Sequence, residues 1–287
     1  MRGALSLVGD ACGLRNKAWI VLYFASRQQV AGHHPLRWLA PPPQTLFWHS
    51  SISPLSVSVE SGGLSSWYEI AHQQAYAPTE DFRPRPGWVV VDVGANIGAY
   101  SAWAAVGLDG SGALLAIEPN PVSFERLVAT LERLAVAASA LQVACGDRDA
   151  EVSLHFEPGF TVSSSVRPFA TASRRMSVHM RTLDDIVRER DIRHIDILKI
   201  DVEGAEELVL RGAARILPDT DRIILETTAD VRPAIHRILE DSGFAMVQER
   251  VDHWGVEGLR LIAYGRSGSS HDSAATTDQD RAERRHG

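Results

Sequence analysis

The sequence predicts an α/β fold with a seven-stranded, mostly parallel sheet, and three observations support this prediction. From Trp88 onward, short apolar runs alternate with segments of helical periodicity. One apolar run leads directly into a turn that contains Gly94 and Gly98, and the last two runs have no helix between them. Alternating strands and helices are typical of a parallel sheet, whereas two strands joined by a short loop are antiparallel. We therefore expect five parallel strands and a C-terminal antiparallel pair.

The individual elements follow from the positions of the apolar residues. The expected strands of the sheet are residues 88–93, 113–118, 141–144, 195–201, 222–226, 244–250 and 259–264. Two more runs, 151–156 and 176–181, predict a pair of strands inserted before the fourth strand of the sheet. Helical spacing predicts helices over 124–135, 205–216 and 233–241, the second ended by Pro218 and the third by Gly243.

Length and composition limit the class of protein. A chain of 287 residues can hold one α/β domain with extensions at both ends. We assign residues 1–86 to an N-terminal extension or cap of unclear role, 87–266 to the domain and 267–287 to a disordered tail. The net charge of −7 argues against general nucleic-acid binding, which needs a basic face.

The cellular setting is inferred from the cysteines and from the N-terminus. Cys12 and Cys145 form neither a disulfide framework nor a zinc spacing, so we expect a reducing, cytoplasmic location. The apolar run 18–25 follows Arg15 and Lys17 and loosely resembles a signal peptide, but no clear cleavage site follows it. It is also much shorter than the ~20 residues that span a bilayer. We expect a docking helix or cap here, no stable membrane insertion, and leave a homodimer open.

The glycine turn predicts a cofactor site. An apolar strand, a turn and a helix start place backbone N–H groups where a polar ligand can bind. The spacing from Asp92 through Gly94 to Gly98 is D-x-G-x-x-x-G, which indicates S-adenosylmethionine rather than NAD. Glu118 ends the second strand and is placed to accept hydrogen bonds from a ribose, with a helix N-cap as the alternative. Asp147 follows the third strand and could reach an adenine amino group, with a turn aspartate as the alternative.

The fourth strand carries the candidate catalytic residues. Lys199, Asp201 and Glu203 share one face for as long as the strand pattern lasts, and Glu226 ends the next strand at the same rim. Charges at such a position are costly to bury unless they are paired or used. One interpretation is a Lys199–Asp201 ion pair that positions the loop; the other is that Asp201 or Glu203 handles a substrate hydroxyl. The three carboxylates could also hold Mg²⁺, an interpretation that we do not favour because they suffice as base and partners.

Several segments together resemble the FkbM-type family of S-adenosylmethionine-dependent methyltransferases. The matching pieces are VVVDVGANIGAYS (89–101), IEPNP (117–121), CGDRDAEVSLHF (145–156), RTLDDI (181–186) and DILKIDVEGAEELVLRGA (196–213). The resemblance implies a seven-stranded Rossmann-like class I methyltransferase fold. It also implies methyl transfer, usually to a hydroxyl of a sugar or secondary metabolite.

The resemblance also implies roles for particular residues. By motif position, the cofactor would be lined by Asp92, Gly94, Asn96, Gly98, Glu118 and Asp147, with Tyr76 as a further contact. Ser163 and Ser164 correspond to a serine-rich loop that could border the acceptor pocket.

We therefore expect an O-methyltransferase for a small-molecule acceptor, with Asp201, Glu203 or Glu226 as base and Lys199 orienting them. The open alternatives are an N-methyltransferase, which a base-poor acceptor pocket would favour, and a catalytically silent cofactor-binding module. An NAD-dependent oxidoreductase is disfavoured by the spacing of the turn. A histidine base is a further alternative, and the candidates are His155, His179, His236 and His253.

Overall fold

The computed structural model describes residues 44–50, 53–59, 69–70, 73–134, 136–157, 160–168, 173–251 and 259–267. The predicted docking segment at 18–25 and the predicted tail from 268 lie outside these residues. Among the helices that the structure describes, none is both long and apolar enough to cross a membrane. The first described element is an antiparallel hairpin of β1 (Gln44–Ser50) and β2 (Ser53–Val59).

The central sheet has seven strands. They are β3 (Val89–Val93), β4 (Ala113–Ile117), β5 (Ala137–Leu141), β10 (Ile195–Ile200), β11 (Thr220–Thr227), β12 (Phe244–Val251) and β13 (Arg260–Arg266). Their order across the sheet is β12-β13-β11-β10-β3-β4-β5. Strands β5, β4, β3, β10 and β11 are parallel, and β13 runs antiparallel to both β11 and β12. The predicted seven-stranded, mostly parallel Rossmann-like sheet is confirmed.

The prediction for the third strand was wrong. The strand lies at Ala137–Leu141, whereas residues 141–144 were expected. Its sequence, AASAL, carries little β-propensity, and most of its residues are partly or fully exposed because β5 is the edge of the sheet. The more apolar stretch that follows contributes Ala144 and Cys145 to a different sheet, as the short strand β6 (Ala144–Cys145).

Helices cover both faces of the central sheet. They are α1 (Ala99–Leu108), α2 (Pro121–Leu131), α3 (Leu183–Glu189), α4 (Glu206–Arg211) and α5 (Arg232–Asp241). One core contains residues of α1 and α2, and the other contains residues of α3, α4 and α5. Along β4 the side chains alternate between the two cores, because successive residues of a strand point to opposite faces. Helix α4 is shorter than predicted and ends at Arg211, well before the short 3₁₀ turn Leu217–Asp219.

The predicted inserted strands form part of a second, four-stranded sheet. Its strands are β6, β7 (Ala150–Glu157), β8 (Phe160–Ser165) and β9 (Arg174–Arg181), in the order β6-β9-β7-β8. The predicted pair corresponds to β7 and β9, which are antiparallel. Strand β8, which contains the three consecutive serines, was not predicted because polar residues interrupt its alternation.

The segment before β3 packs into the domain. Ile70, Tyr76 and Phe82 are buried in the same core as α1 and α2. The assignment of residues 1–86 to a separate extension stays a prediction, but the part from residue 73 to β3 contributes core side chains and, through Tyr76, reaches the strand ends.

At Gly94 the turn after β3 is in close contact with the loop after β10. Its φ is +78°, and a Cβ here would lie 1.8 Å from the carbonyl oxygen of Asp201. Gly94 is therefore required by the contact between two chain segments, in addition to the positive φ that glycine tolerates. Gly98 has a φ of +88°, and a Cβ there would lie 2.9 Å from Leu127 Cδ1 on α2.

We expect Gly94→Ala to lower the free energy of unfolding by at least about 2 kcal/mol more than Gly87→Ala, because a buried overlap adds to the backbone strain. Gly87 is the matched control, since its φ is +86° and a Cβ there would meet nothing within 4 Å. Urea denaturation of both variants measures the difference. Equal losses in the two variants would show that the turn does not depend on close contact with the Asp201 carbonyl.

Candidate active site

The turn after β3 is held by backbone hydrogen bonds to the neighbouring strands. The N–H groups of Gly94 and Ala95 both donate to the carbonyl of Ile117, at 2.9 and 3.0 Å. On the other side, the N–H of Asp201 donates to the carbonyl of Val93 at 3.0 Å. The turn is thus fixed between the carboxyl ends of β4 and β10, which is the edge where α/β sheets bind ligands.

Beneath the turn lies a buried ion pair. Lys199 Nζ is 3.0 Å from Asp92 Oδ1, and the two residues face each other across the β10–β3 pairing. Ser101 Oγ donates to Asp92 Oδ2 at 2.7 Å, and Lys199 Nζ donates to the carbonyl of Gly94 at 2.8 Å. Burial lowers the pKa of Lys199, but the carboxylates of Asp92 and Asp201 outweigh this and hold that pKa above its ordinary value. Asp92 is fully buried, so direct cofactor contact stays a prediction.

Glu118 connects the glycine turn to the start of helix α2. Its two carboxylate oxygens accept from the N–H groups of Asn96 and Asn120, each at 2.8 Å. Burial raises its pKa to about 7, although both hydrogen bonds oppose that change. Asn120, which the sequence analysis did not single out, caps α2 by accepting from Val122 N–H. An asparagine directly before Pro121 is a cap signal that could have identified it.

Tyr76 joins two of the predicted catalytic carboxylates. Its hydroxyl donates to Asp201 Oδ2 at 3.2 Å and lies 3.5 Å from Glu226 Oε2. Lys199 Nζ is 3.5 Å from the same Asp201 oxygen. Burial, followed by the charges of Asp201, Glu226 and Glu69, raises the pKa of Tyr76 well above its ordinary value, so the phenol stays protonated. The structure therefore brings Lys199, Asp201 and Glu226 together, with Tyr76 among them.

Glu203 leaves the face that the alternation predicted. Strand β10 ends at Ile200, and Glu203 has a φ of +54°, in the left-handed region. Gly204 continues the turn, and its N–H donates to Glu206 Oε1 at 2.8 Å. Glu206 is buried, which raises its pKa to about 7. Sequence reasoning missed this residue, because a glutamate in the first turn of a helix is normally exposed.

An open cleft lies above this arrangement. Its lining comes from both sheets and from the loops between them, namely Val93, Gly94, Asn96, residues 117–119, 143–145, Leu154, residues 164–166, 201–203 and Ala205. Five predicted cofactor or catalytic residues therefore share one cleft: Gly94, Asn96, Glu118, Asp201 and Glu203.

The inserted sheet is tied to both sides of the cleft by serine hydroxyls. Ser164 Oγ accepts from Asn120 Nδ2 at 3.0 Å, and Ser165 Oγ donates to the carbonyl of Val202 at 3.4 Å. Ser164 thus lines the cleft from strand β8, and its role at an acceptor pocket stays a prediction. The side chain of Ser163 lies outside what the structure describes.

Other predicted residues lie away from the cleft lining. Asp147 is partly exposed and pairs with Arg148 at 2.9 Å, and Gly98 precedes α1 where that helix packs on α2. Their cofactor roles stay predictions. No histidine lines the described cleft: His179 pairs with Asp149 and Glu151 on the inserted sheet.

The predicted carboxylates do not converge as metal ligands in the described residues. The one grouping there with metal-ligand spacing, His194, Asp196 and Asp221, lies at the opposite, amino-terminal ends of β10 and β11. Asp201 and Glu226 are instead bridged by Tyr76, and Lys199 supplies a positive charge beside Asp201.

The part of the chain that forms this cleft matches a known protein family. The model of the methyltransferase FkbM domain matches residues 92–257, which extend from the buried aspartate of β3 to beyond β12. The chain belongs to the FkbM methyltransferase family. It is therefore a methyltransferase, and the predicted family and enzyme class are confirmed.

Curated relatives of this FkbM methyltransferase are 28–30% identical to it over 50–60% of its length. Methyltransferase sdnD of Sordaria araneosa is 28% identical over 60% of this chain and 79% of its own. The 31-O-demethyl-FK506 methyltransferase FkbM of Streptomyces tacrolimicus is 30% identical over 58% and 76%. Hexuronic acid methyltransferase AglP of Haloferax volcanii is 28% identical over 50% and 58%. A crystal structure of Methyltransferase FkbM from Methylobacillus flagellatus KT aligns over 92% of this chain and 58% of that one, with a TM-score of 0.47 and 14% identity.

Removing Lys199 should leave Asp92 as a buried, unpaired charge. We expect Lys199→Met to lower the free energy of unfolding by about 3–5 kcal/mol, and Asp92→Asn in the same chain to restore part of that loss. Arg211→Met is the control, because it breaks an exposed pair with Glu207 and should cost less than about 1 kcal/mol. Urea denaturation at pH 7 compares the three variants with the wild-type protein. Similar small losses for Lys199→Met and Arg211→Met would contradict a supporting role for the buried pair.

Proposed function

We propose that this methyltransferase uses S-adenosylmethionine to methylate a hydroxyl of a small molecule, a sugar moiety or a secondary metabolite. The observation that carries the proposal is that Asp201, a carboxylate, lines the same cleft as the turn residues Gly94 and Asn96 and the ribose candidate Glu118. A site of this kind places a base next to the donor of a methyl group.

The residues on the cofactor side fit S-adenosylmethionine. Glu118 uses one lone pair of each oxygen for backbone N–H groups, so each oxygen keeps acceptor capacity for a ribose hydroxyl. Ile117, Val143 and Leu154 give the same cleft an apolar wall on which an adenine ring could pack. When bound, S-adenosylmethionine supplies a methyl group on a positively charged sulfur. The chain therefore has to orient the acceptor and remove its proton.

Asp201 is the candidate base. It lines the cleft, and the contacts from Lys199 and Tyr76 both go to Oδ2. Oδ1 is the oxygen that we assign to the acceptor hydroxyl. It would take the proton of that hydroxyl as the methyl carbon exchanges its bond to sulfur for a bond to the hydroxyl oxygen, with S-adenosylhomocysteine as the leaving group. Glu203 lines the cleft as well and would hold a second acceptor group. Lys199 is buried beneath them and orients Asp201.

An oxygen acceptor is supported over a nitrogen acceptor. A base-poor pocket would favour an amine, and this cleft carries the carboxylates of Asp201 and Glu203 beside the turn. Two of the relatives bear names that specify oxygen: the 31-O-demethyl-FK506 methyltransferase and the 2-O-methyltransferase NoeI of Sinorhizobium fredii. A third is named for hexuronic acid, a sugar acid. The geometry gives Mg²⁺ no converging trio from Asp201, Glu203 and Glu226, so we propose a metal-independent base.

Cofactor affinity should depend on pH through Glu118. Its pKa of about 7 means that the carboxyl is protonated below that pH and becomes a charged acceptor above it. We therefore expect the Kd of S-adenosylhomocysteine to fall as pH rises from 6 to 8, and this dependence to disappear in Glu118→Gln. Titration calorimetry measures both, and NADH should not bind.

Glu206→Gln is the control, because Glu206 also has a pKa of about 7 but does not line the cleft. That variant should keep the pH dependence of binding. If Glu206→Gln removed the dependence and Glu118→Gln kept it, Glu118 would not be the ribose acceptor. Binding of NADH in place of S-adenosylhomocysteine would overturn the proposal that the cofactor is S-adenosylmethionine.

Asp201→Asn should abolish methyl transfer and leave S-adenosylhomocysteine affinity within about threefold, because it removes the base and keeps the shape of the side chain. Radiolabelled S-adenosylmethionine with a panel of glycosides, uronic acids and polyketide alcohols measures the transfer. Asp221→Asn, at the other end of the sheet, should retain turnover. Full activity of Asp201→Asn would remove Asp201 from the mechanism, and labelling of amines alone would favour an N-methyltransferase.

A further inference from the structure

Tyr76, for which the resemblance suggested a cofactor contact, meets two predicted catalytic carboxylates at the strand ends. It is buried, with 6% of its surface exposed, and it does not line the described cleft. Its ring meets the ring of Tyr100 on α1 at a centroid distance of 5.3 Å and an angle of 62°. Lys199 Nζ lies 5.7 Å from the centroid of the same ring. The aromatic contact and the cation together fix where the hydroxyl points.

That hydroxyl meets two carboxylates and has one proton to donate. It lies 3.2 Å from Asp201 Oδ2 and 3.5 Å from Glu226 Oε2. Lys199 Nζ lies 3.5 Å from the same Asp201 Oδ2. Both donors therefore converge on one oxygen of Asp201. A carboxylate held in this way on Oδ2 presents Oδ1 in a defined direction.

We infer that Tyr76 is a positioning residue for the methyl-acceptor base: its hydroxyl holds Asp201 Oδ2 so that Oδ1 faces the acceptor hydroxyl, and it connects Glu226 to the same site. The inference rests on the proposed function, because it takes Asp201 to be the base. Glu226, which was predicted to be catalytic, then acts through Tyr76 and not on the acceptor. A segment that precedes the sheet thus completes the acceptor side of the site.

The charges around this hydroxyl define what a pH measurement would report. Asp92 and Lys199 lie below it, Glu226 lies beside it, Glu69 acts on it from its own segment, and the charge of Asp201 also acts on Glu206 of α4. A donor to a carboxylate favours the ionised form of that carboxylate. Loss of the Tyr76 hydroxyl therefore makes the base harder to ionise, while the other charges remain in place.

The test is Tyr76→Phe, which removes the hydroxyl and keeps the ring. We expect kcat to fall about tenfold and the acidic limb of the kcat/KM profile to move about one unit to higher pH, since a charge-assisted hydrogen bond has this magnitude. The Kd of S-adenosylhomocysteine should stay within about twofold. The assay uses radiolabelled S-adenosylmethionine and the best acceptor of the panel above.

Tyr100→Phe is the matched control. Tyr100 is also buried and packs on Tyr76, but its hydroxyl has no hydrogen-bond partner among the residues that the structure describes. This variant should keep the wild-type position of the acidic limb. A shift of the same size in both variants would mean that packing, and not the hydroxyl of Tyr76, causes it, and would overturn the inference.

Two more outcomes separate this inference from the proposed function. If Asp201→Asn abolishes turnover while Tyr76→Phe keeps the wild-type profile, the inference fails and the proposed function stands. If Asp201→Asn stays active, Asp201 is not the base, and the proposed function fails together with the inference that rests on it. Tyr76→Phe could instead weaken S-adenosylhomocysteine binding without shifting the acidic limb of the kcat/KM profile. That result would indicate that Tyr76 contacts the cofactor and would overturn the inference.

A measurement without any acceptor also tests the contact. Tyr76→Phe and Asp201→Asn should be non-additive in urea denaturation, because the second substitution has no hydrogen bond left to weaken. Tyr100→Phe and Asp201→Asn should be additive. Additive effects for the Tyr76–Asp201 pair would overturn the inference even if no acceptor in the panel is methylated.

Discussion

The arrangement of the site depends on the ion pair between Asp92 and Lys199. Two opposite charges in the middle of a parallel sheet are costly to desolvate, and they are tolerated here because each has further partners. Ser101 donates to Asp92, and Lys199 reaches the carbonyl of Gly94. The pair therefore joins the central strands β3 and β10 at the level where both end, and it fixes the turn above it.

From this pair the charges continue outward to the cleft. Lys199 also faces Asp201, whose second donor is Tyr76, and Tyr76 in turn lies beside Glu226. The carboxylates become more exposed toward the cleft. Asp92 is fully buried, whereas 28% of the side-chain surface of Asp201 is exposed. Asp201 therefore lines the cleft, whereas Asp92 lies buried beneath it.

The inserted sheet supplies the opposite wall. Its serines bond to Asn120 on the β4 side and to the Val202 carbonyl on the β10 side, so it spans the two loops that hold the proposed cofactor and base. In this FkbM methyltransferase the pocket is consequently shared between two sheets. The insertion before β10 therefore adds a wall to the cleft without adding a strand to the central sheet.

The sequence by itself determined the seven-stranded sheet, the glycine turn and the carboxylates at the strand ends, because apolar periodicity and glycine spacing are local signals. It placed Asp201 and Glu118 correctly at the edge of the sheet, since both directly follow apolar strands. Only the tertiary structure decided which of these groups meet. The edge strand β5 lacked an apolar signal, and the burial of Asp92 against Lys199 depends on the pairing of strands about a hundred residues apart in the chain. The contact of Tyr76 with Asp201 spans 125 residues, and no spacing rule in a single sequence encodes a distance of that kind.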